Sequence, residues 1–173
     1  MGVTVRGTLA LLGVLIALLG YLWLVEVPSR RAAPSAEPAP LLAAGARVGR
    51  VEVEDREGRV TAMRSERGWT DAEGRPWQSD AVSDLVDTLG TLRPVMVVDP
   101  APEDPATYGL GPDAPRLRVV AQDGKPLLTL EVGERNPSWT GLYARAGGRP
   151  EVVLVGAVLH WELEKLRHAA PGK

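Results

Sequence analysis

The sequence predicts an α+β fold: a small antiparallel sheet with one inserted helix and one C-terminal helix, preceded by an N-terminal transmembrane helix and a stalk rich in proline and alanine. Three observations predict it. The chain opens with an uncharged apolar run, continues with alternating apolar residues separated by glycine turns, and contains two segments with apolar residues at helical spacing. We expect residues 1–27 to form the anchor, 28–46 the linker, 47–168 a single domain and 169–173 a tail.

The first element is the apolar run, which covers residues 7–25 and holds no charged residue. As a helix it would span about 28 Å, close to the roughly 30 Å hydrocarbon core of a bilayer. Tyr21 and Trp23 lie near its end, where amphipathic rings favour the membrane interface. A cleaved signal peptide is the alternative, but its apolar stretch is normally about 7 to 15 residues long and ends at a small-residue site. Residues 44–46 could form such a site, but they lie far beyond the apolar run. The flanking charges leave the orientation open.

The second element is the linker of residues 28–46, which reads PSRRAAPSAEPAPLLAAGA. Repeated prolines fix the backbone φ angle and remove hydrogen-bond donors, so we expect a semi-extended stalk that holds the domain away from the bilayer. Leu41 and Leu42 are the first residues that we expect to touch the fold.

The folded part opens with a predicted hairpin and helix. Val51 and Val53 alternate with charged residues, and the pattern resumes at Val60 after a turn at Glu57-Gly58. Ser79 is expected to cap a helix over Asp80–Leu92 that Pro94 ends. The apolar residues of this helix fall on one face: Val82, Leu85, Val86, Leu89 and Leu92.

The second half predicts further strands and a closing helix. An apolar run at Val95–Val98 has strand length, and a proline-rich loop at Asp99–Pro115 follows it. Strands around Leu117–Val119 and Leu128–Val132 are joined by a turn at Asp123-Gly124. A second hairpin is expected to pair Leu142–Arg145 with Val152–Val155 across Gly147-Gly148. The last helix is expected over Ala157–His168, with its leucines inward: Leu159, Leu163 and Leu166.

Composition excludes several classes of function. The net charge is −2 and no run of like charge occurs, so the basic footprint of a nucleic-acid-binding protein is absent. The sequence has no cysteine, which excludes disulfides, thiolate metal sites and a cysteine nucleophile.

Motifs that resemble known catalytic or binding sites lack the residues that the chemistry needs. Residues 109–114 fit the letters of a dinucleotide-binding fingerprint, but Pro112 and Pro115 preclude the helix that must open there. His160 and Glu162 have the spacing of a zinc deaminase without its cysteines, and His160 and His168 are too far apart on a helix to chelate one metal ion. The acidic loop with Asp99, Glu103 and Asp104 lacks the pattern of a calcium loop. The sequence therefore predicts no catalytic, metal or cofactor site.

Aromatic residues are the candidates that remain. Trp139 lies in a polar turn that begins at Asn136, and tryptophan in such a turn is a candidate anchor for a protein partner, with Asn136 and Tyr143 beside it. The alternative is that Trp139 folds back over a sheet edge, because tryptophan buries a large area in either case. Tyr108, Gly109 and Leu110 are expected to form a structural loop. Three other tryptophans are expected in the core or at its border: Trp69, Trp77 and Trp161.

These residues resemble a known family. The pattern runs from Trp69 through Tyr108-Gly109-Leu110, Pro115 and Gly133 to the segments Gly141–Arg145 and Val152–Val155. It resembles domain-of-unknown-function family 4340, which comprises bacterial proteins with an N-terminal membrane anchor. These proteins are often encoded beside ABC-type export components of the gliding-motility kind. The resemblance covers roughly Val48 to Leu166, and many members are longer.

The resemblance implies a function class and a location. It implies a single-pass protein of the inner membrane, with an extracytoplasmic, non-catalytic interaction domain that serves an ABC-type export or envelope complex. The expected partners are the membrane and ABC transporter subunits, without nucleic acid. A module that binds a small molecule, lipid or glycan of the envelope is the alternative, and an enzyme with an unfamiliar site is the third.

Overall fold

The computed structural model describes residues 38–77 and 80–171. Eight strands and two α-helices make up this described part, together with a short 3₁₀ helix at Pro105–Tyr108. In chain order the elements are β1 (Val48–Asp55), β2 (Gly58–Ser65), β3 (Gly68–Thr70), α1 (Ala81–Thr91), β4 (Met96–Asp99), β5 (Arg116–Ala121), β6 (Pro126–Arg135), β7 (Gly141–Ala146), β8 (Val152–Gly156) and α2 (Val158–His168).

The strands form one antiparallel sheet in the order β3-β2-β1-β5-β6-β7-β8-β4. The predicted opening hairpin is confirmed, with Val51 opposite Ala62. The predicted pairing of β7 with β8 is also confirmed, with Leu142 opposite Val155. The inserted helix α1 carries the chain from one edge of the sheet to the other, where β4 becomes the terminal strand.

Both helices pack on one face of the sheet, and the core lies between the helices and that face. The side chains of Val51, Val53 and Leu130 point into it because alternate strand residues share a face. Of the residues predicted to face the core, Val82, Leu85 and Leu89 on α1 and Leu159, Leu163 and Leu166 on α2 are buried. Val86 and Leu92 are partly buried, and Ala81 is buried as well. The opposite face of the sheet carries ion pairs, such as those from Glu131 to Arg116 and Arg145.

Helix α1 matches the predicted helix to within one residue at each end. Asp80 occupies the N-cap position, but its side chain makes no capping hydrogen bond. The predicted cap, Ser79, lies outside the described residues.

The chain enters the fold at Leu41 and Leu42. The backbone N–H of Leu41 donates to the carbonyl of Leu92 at 2.9 Å, and that of Leu42 donates to the carbonyl of Leu89 at 3.0 Å. The Leu42 side chain is 3% exposed. These two leucines therefore attach the segment before β1 to the C-terminal end of α1.

The predicted membrane anchor, residues 1–27, and most of the predicted linker lie outside the described residues. Among the helices of 38–77 and 80–171, none is both long and apolar enough to cross a membrane.

Candidate functional site

The loop between β6 and β7 is built around the side chain of Asn136. Its Oδ1 accepts hydrogen bonds from the backbone N–H groups of Thr140 and Gly141, each at 3.0 Å. Its Nδ2 donates to Ser138 Oγ at 2.8 Å and to Thr140 Oγ1 at 3.0 Å. The backbone adds bonds from Asn136 N–H to the Gly141 carbonyl and from Trp139 N–H to the Asn136 carbonyl. One asparagine thus fixes both ends of the loop.

Trp139 occupies the strained position of this loop. Its φ is +60°, and it is the one non-glycine residue of the described part with a positive φ. The left-handed conformation costs a residue with a Cβ roughly 1–2 kcal/mol. The indole is nevertheless 69% exposed. Since the surrounding bonds hold a large apolar ring towards solvent at an energetic cost, the loop is a candidate functional feature.

Arg135 links Trp139 to a second exposed tryptophan. Its guanidinium carbon lies 5.1 Å from the ring centroid of Trp139 and 5.4 Å from that of Trp161, distances typical of cation–π contacts. No carboxylate of the described part forms an ion pair with Arg135. The two indoles and the guanidinium therefore form a preassembled cluster at the surface.

The prediction that Trp161 belongs to the core or its border is wrong. Trp161 is 63% exposed, whereas Trp77 is 9% exposed and Trp69 is half-buried. Trp161 is two positions after Leu159 on α2, which turns it by about 200° away from the buried face at 3.6 residues per turn. Leu163 and Leu166 continue the buried face instead.

Large apolar side chains are exposed on several elements. Besides Met63, those of the described part are Val95, Met96, Val97, Trp139, Val158 and Trp161. Arg135 joins two of them, Trp139 and Trp161, and exposed apolar surface of this kind is typical of an interaction site.

Tyr143 lies on the other side of the sheet from this cluster. Its neighbours in β7, Leu142 and Ala144, point into the core beneath the helices, so Tyr143 points away from them. Its ring packs edge-on against Tyr108 with a centroid distance of 5.1 Å. The structure therefore brings Asn136 and Trp139 together but places Tyr143 elsewhere.

Tyr108, Gly109 and Leu110 form a loop packed tightly on β6. The Tyr108 hydroxyl donates to Asp99 at 3.0 Å, and this hydrogen bond, together with burial, raises the pKa of Tyr108. Gly109 has a φ of +69°, and a Cβ there would lie 2.7 Å from the Glu134 nitrogen. Leu110 is 1% exposed. No helix begins within residues 109–114, so the residues that match the dinucleotide-binding fingerprint lack the helix that this motif requires.

A groove lies between the β1–β2 turn, the loop after Leu110 and the end of α2, with a volume of about 520 Å³. Nine of its fifteen lining residues are glycine or apolar, and the other six are charged. At its base Arg167 pairs with Asp55, and the Nε of Arg167 is buried without a hydrogen-bond partner. No pattern in the sequence indicates this groove, because its walls come from four segments that are distant along the chain.

The histidines do not come together. His160 packs edge-on against Trp161 at 5.3 Å, and burial and the charge of Arg135 lower its pKa. His168 lies 3.8 Å from Glu164. Within the described residues no group of three or more acidic or histidine side chains is arranged to hold a metal ion.

Comparison with known proteins gives one family. No curated protein and no solved structure matches the chain. The family model described as a domain of unknown function, DUF4340, matches residues 69–168, which is more than half of the sequence. The match includes the segments on which the resemblance was based, from Trp69 to Val152–Val155, and it confirms that resemblance. The chain belongs to the DUF4340 family of domains of unknown function.

Proposed function

We propose that this chain is a membrane-anchored, non-catalytic interaction domain on the extracytoplasmic side of the inner membrane. In this proposal it acts as an accessory subunit of an ABC-type export or envelope complex. The observation that carries the proposal is the loop that holds Trp139 exposed beside Arg135 and Trp161.

The physical argument is preorganisation. Tryptophan and arginine are enriched among residues that dominate protein–protein binding energies. The hydrogen bonds of Asn136 fix the loop before a partner arrives, so less conformational entropy is lost on binding. Arg135 is half-buried between the two indoles and is available to a carboxylate or carbonyl of the partner. Asn136 positions the contact, and Trp139 makes it.

The location and the class of partner rest on other support. The uncharged run at residues 7–25 has the length of a membrane span. The extracytoplasmic side and the ABC-type complex rest on the resemblance to the family, whose members are often encoded beside export components.

The experiment is a mild detergent extraction of the tagged full-length chain, followed by quantitative mass spectrometry of copurified proteins. Trp139→Ala is compared with Met63→Ala, because Met63 is 41% exposed but lies on β2 and is not part of the cluster of Trp139, Arg135 and Trp161. We expect ABC permease or ATPase subunits with the wild type and with Met63→Ala, and their loss with Trp139→Ala. Recovery of the chain alone in several mild detergents would overturn the proposal.

The groove favours a second candidate function, a binding module for a small molecule, lipid or glycan of the envelope. Its volume of about 520 Å³ falls within the range of ligand sites. Gly111 lines it, and a Cβ there would meet nothing within 4 Å, so Gly111→Phe should fill the groove without disturbing the fold. A ligand that raises the melting temperature of the wild type but not of Gly111→Phe would support this function.

A further inference from the structure

A groove on the face of the sheet away from the helices is lined by four arginines. Its volume is about 440 Å³, and its charged lining residues are Arg116, Arg118, Arg145, Arg149 and one acid, Glu131. Four guanidinium groups and one carboxylate give this arginine groove a net charge of +3, in a chain whose net charge is −2. The positive charge is therefore a property of this place in the fold and not of the composition.

The register of three strands brings these side chains together. On β5, Arg116 and Arg118 alternate with buried residues that face the helices. Arg116 lies opposite Glu131 of β6, which in turn lies opposite Arg145 of β7. Arg118 lies opposite Thr129 of β6. No run of like charge marks the arginine groove in the sequence, because its arginines come from separate strands and a turn.

The carboxylate of Glu131 leaves most of this charge uncompensated. It accepts hydrogen bonds from Arg145 Nε at 3.0 Å and Nη2 at 2.5 Å, and it lies 3.4 Å from Arg116 Nε. Each guanidinium has five N–H donors. The terminal nitrogens of Arg116 and the Nη1 of Arg145 donate no hydrogen bond within the described part of the chain. Both side chains are partly exposed, at 36% and 26%, so these donors remain for a second anion.

Arg118 is the arginine of the groove that has no ion pair among the described residues. The acid opposite it on β1 is Glu52, which pairs with Arg50 at 3.3 Å. The next acid on the same face, Glu54, pairs with Arg59 at 2.9 Å. The Arg118 side chain is exposed, and no carboxylate offsets its charge at ion-pair distance.

The β7–β8 turn lines one side of the groove. Gly147 N–H donates to the Thr129 carbonyl at 2.8 Å, which holds the turn against β6. A Cβ at Gly147 would lie 3.0 Å from the Thr129 Cβ, so glycine allows this close approach. Arg149 lies at the rim, where its side chain is 70% exposed and pairs with Glu151 at 3.1 Å. Exposed pairs of this kind are weak, so Arg149 is available to an anion in the groove.

We propose that the arginine groove binds a small molecule through a phosphate group, with Arg116, Arg118 and Arg145 donating hydrogen bonds to that group. The planar fork of arginine matches two oxygens of a phosphate, and hydrogen bonds between charged groups are roughly twice as strong as neutral ones. A phosphate monoester carries a charge of about −1.5 to −2 at neutral pH, which offsets more of the positive charge than one carboxylate would. The inference goes beyond the proposed function, since it concerns a different surface and needs no protein partner.

The shape of the groove favours a small molecule over a membrane surface. Its volume lies within the range of about 300–1,000 Å³ that ligand sites occupy. The β7–β8 turn on one side makes the site concave, whereas the headgroups of a bilayer present a broad surface. A small phosphorylated molecule is therefore the occupant that fits both the charge and the shape.

Isothermal titration calorimetry with glycerol 3-phosphate tests the proposal. The full-length chain is kept in an uncharged detergent at low ionic strength, because salt screens exposed charges. Succinate is the comparison, since it is a small dianion without a phosphate. We expect glycerol 3-phosphate to bind once per chain, with a Kd at least about tenfold lower than that of succinate.

Arg118→Gln is the variant that tests the groove. It removes a donor fork without breaking an ion pair, so we expect the fold to persist and the Kd for glycerol 3-phosphate to rise at least about tenfold. Circular dichroism checks the fold, and Arg149→Gln, at the exposed rim, is a second variant that should raise the Kd less. Arg67→Gln is the matched control, because it removes the same charge from an exposed residue of the β2–β3 turn, outside the groove. We expect the control to bind like the wild type.

Four results would overturn the inference. Glycerol 3-phosphate could fail to bind the wild type, or succinate could bind as tightly. Arg67→Gln could weaken binding as much as Arg118→Gln, which would show a general attraction of anions. Hexaglutamate could bind more tightly than glycerol 3-phosphate, which would assign the groove to an acidic segment of a protein.

The titration separates this inference from the proposed function. It uses this chain alone, so its outcome is independent of the copurification experiment. Gly111→Phe fills the other groove, beside Arg167, and should bind glycerol 3-phosphate like the wild type. Loss of binding in Gly111→Phe would place the phosphate in that groove and overturn its assignment to the arginine groove.

Discussion

The Oδ1 of Asn136 accepts a hydrogen bond from the backbone N–H of Gly141 at 3.0 Å, across the base of the loop that carries Trp139. Asn136→Ala removes this bond and three others made by the same side chain. Because the loop is largely exposed, water replaces part of the loss, and we expect the free energy of unfolding to fall by about 1–2 kcal/mol. Urea denaturation followed by circular dichroism measures it.

Asn136→Asp is the matched control. It keeps the acceptor for the backbone N–H groups of Thr140 and Gly141 but removes the donor to the hydroxyls of Ser138 and Thr140. We expect a smaller decrease than for Asn136→Ala. If the aspartate variant were as unstable as the alanine variant, the hydrogen bonds accepted by Asn136 Oδ1 would not be the ones that stabilise the loop.

Trp139 is expected to trade stability for binding. Trp139→Gly removes the left-handed strain of about 1–2 kcal/mol and loses a surface cation–π contact of about 0.5–1 kcal/mol. Trp139→Ala loses the contact but keeps the strain. We therefore expect the free energy of unfolding of the glycine variant to exceed that of the alanine variant by about 1 kcal/mol. Both should lose the copurified partner.

Asp55 joins the β1–β2 turn to the end of α2. Its Oδ2 pairs with Arg167, and its Oδ1 accepts from Glu57 N–H at 2.7 Å. The two side chains are 10% and 16% exposed, so Asp55→Ala leaves a largely buried guanidinium without this carboxylate. We expect a loss of about 3 kcal/mol in the free energy of unfolding. Asp113→Ala is the control, because its pair with Arg56 is exposed and should contribute less than about 0.5 kcal/mol.

Stability at acid pH should depend on Asp71. Burial raises the pKa of Asp71, but hydrogen bonds from the Arg75 backbone and guanidinium outweigh burial and bring the pKa below its ordinary value of 3.8. A lowered folded-state pKa gives stability that is present above the unfolded value and is lost as the pH falls through the folded value. As the pH is lowered below about 4, we expect the urea midpoint of the wild type to decrease more steeply than that of Asp71→Asn. Parallel curves would contradict this.

Local patterns predicted much of the fold. The alternation around Val51 and Val53 and the leucine spacing of α2 each reflect burial on one face, which a short window of sequence records. The place of β4 at the far edge could not be predicted in this way, because strand order depends on contacts between distant segments. Met96 and Val97 resemble core residues in sequence but lie exposed for the same reason.

The candidate site was predicted only in part. Trp139 and Asn136 were found from the composition of one turn, and the structure places them together. Arg135 was missed, since an arginine at the end of a strand gives no signal until the two indoles beside it are known. The exposure of Trp161 could have been predicted from its spacing to Leu159, had its angular position been weighed above its hydrophobicity.

Two glycines should respond in opposite directions to the same substitution. Gly90 lies in α1, and a Cβ there would meet nothing within 4 Å, so Gly90→Ala should raise the free energy of unfolding by about 0.5–1 kcal/mol. At Gly133 a Cβ would overlap the carbonyl oxygen of Tyr108 and lie 3.2 Å from the Leu110 side chain. Gly133→Ala should therefore lower the free energy of unfolding by about 2 kcal/mol or more. It should also speed proteolysis near Tyr108, because the loop is displaced from β6. A Gly133→Ala chain as stable and as protease-resistant as the wild type would show that Tyr108-Gly109-Leu110 is not pinned to the sheet by this contact.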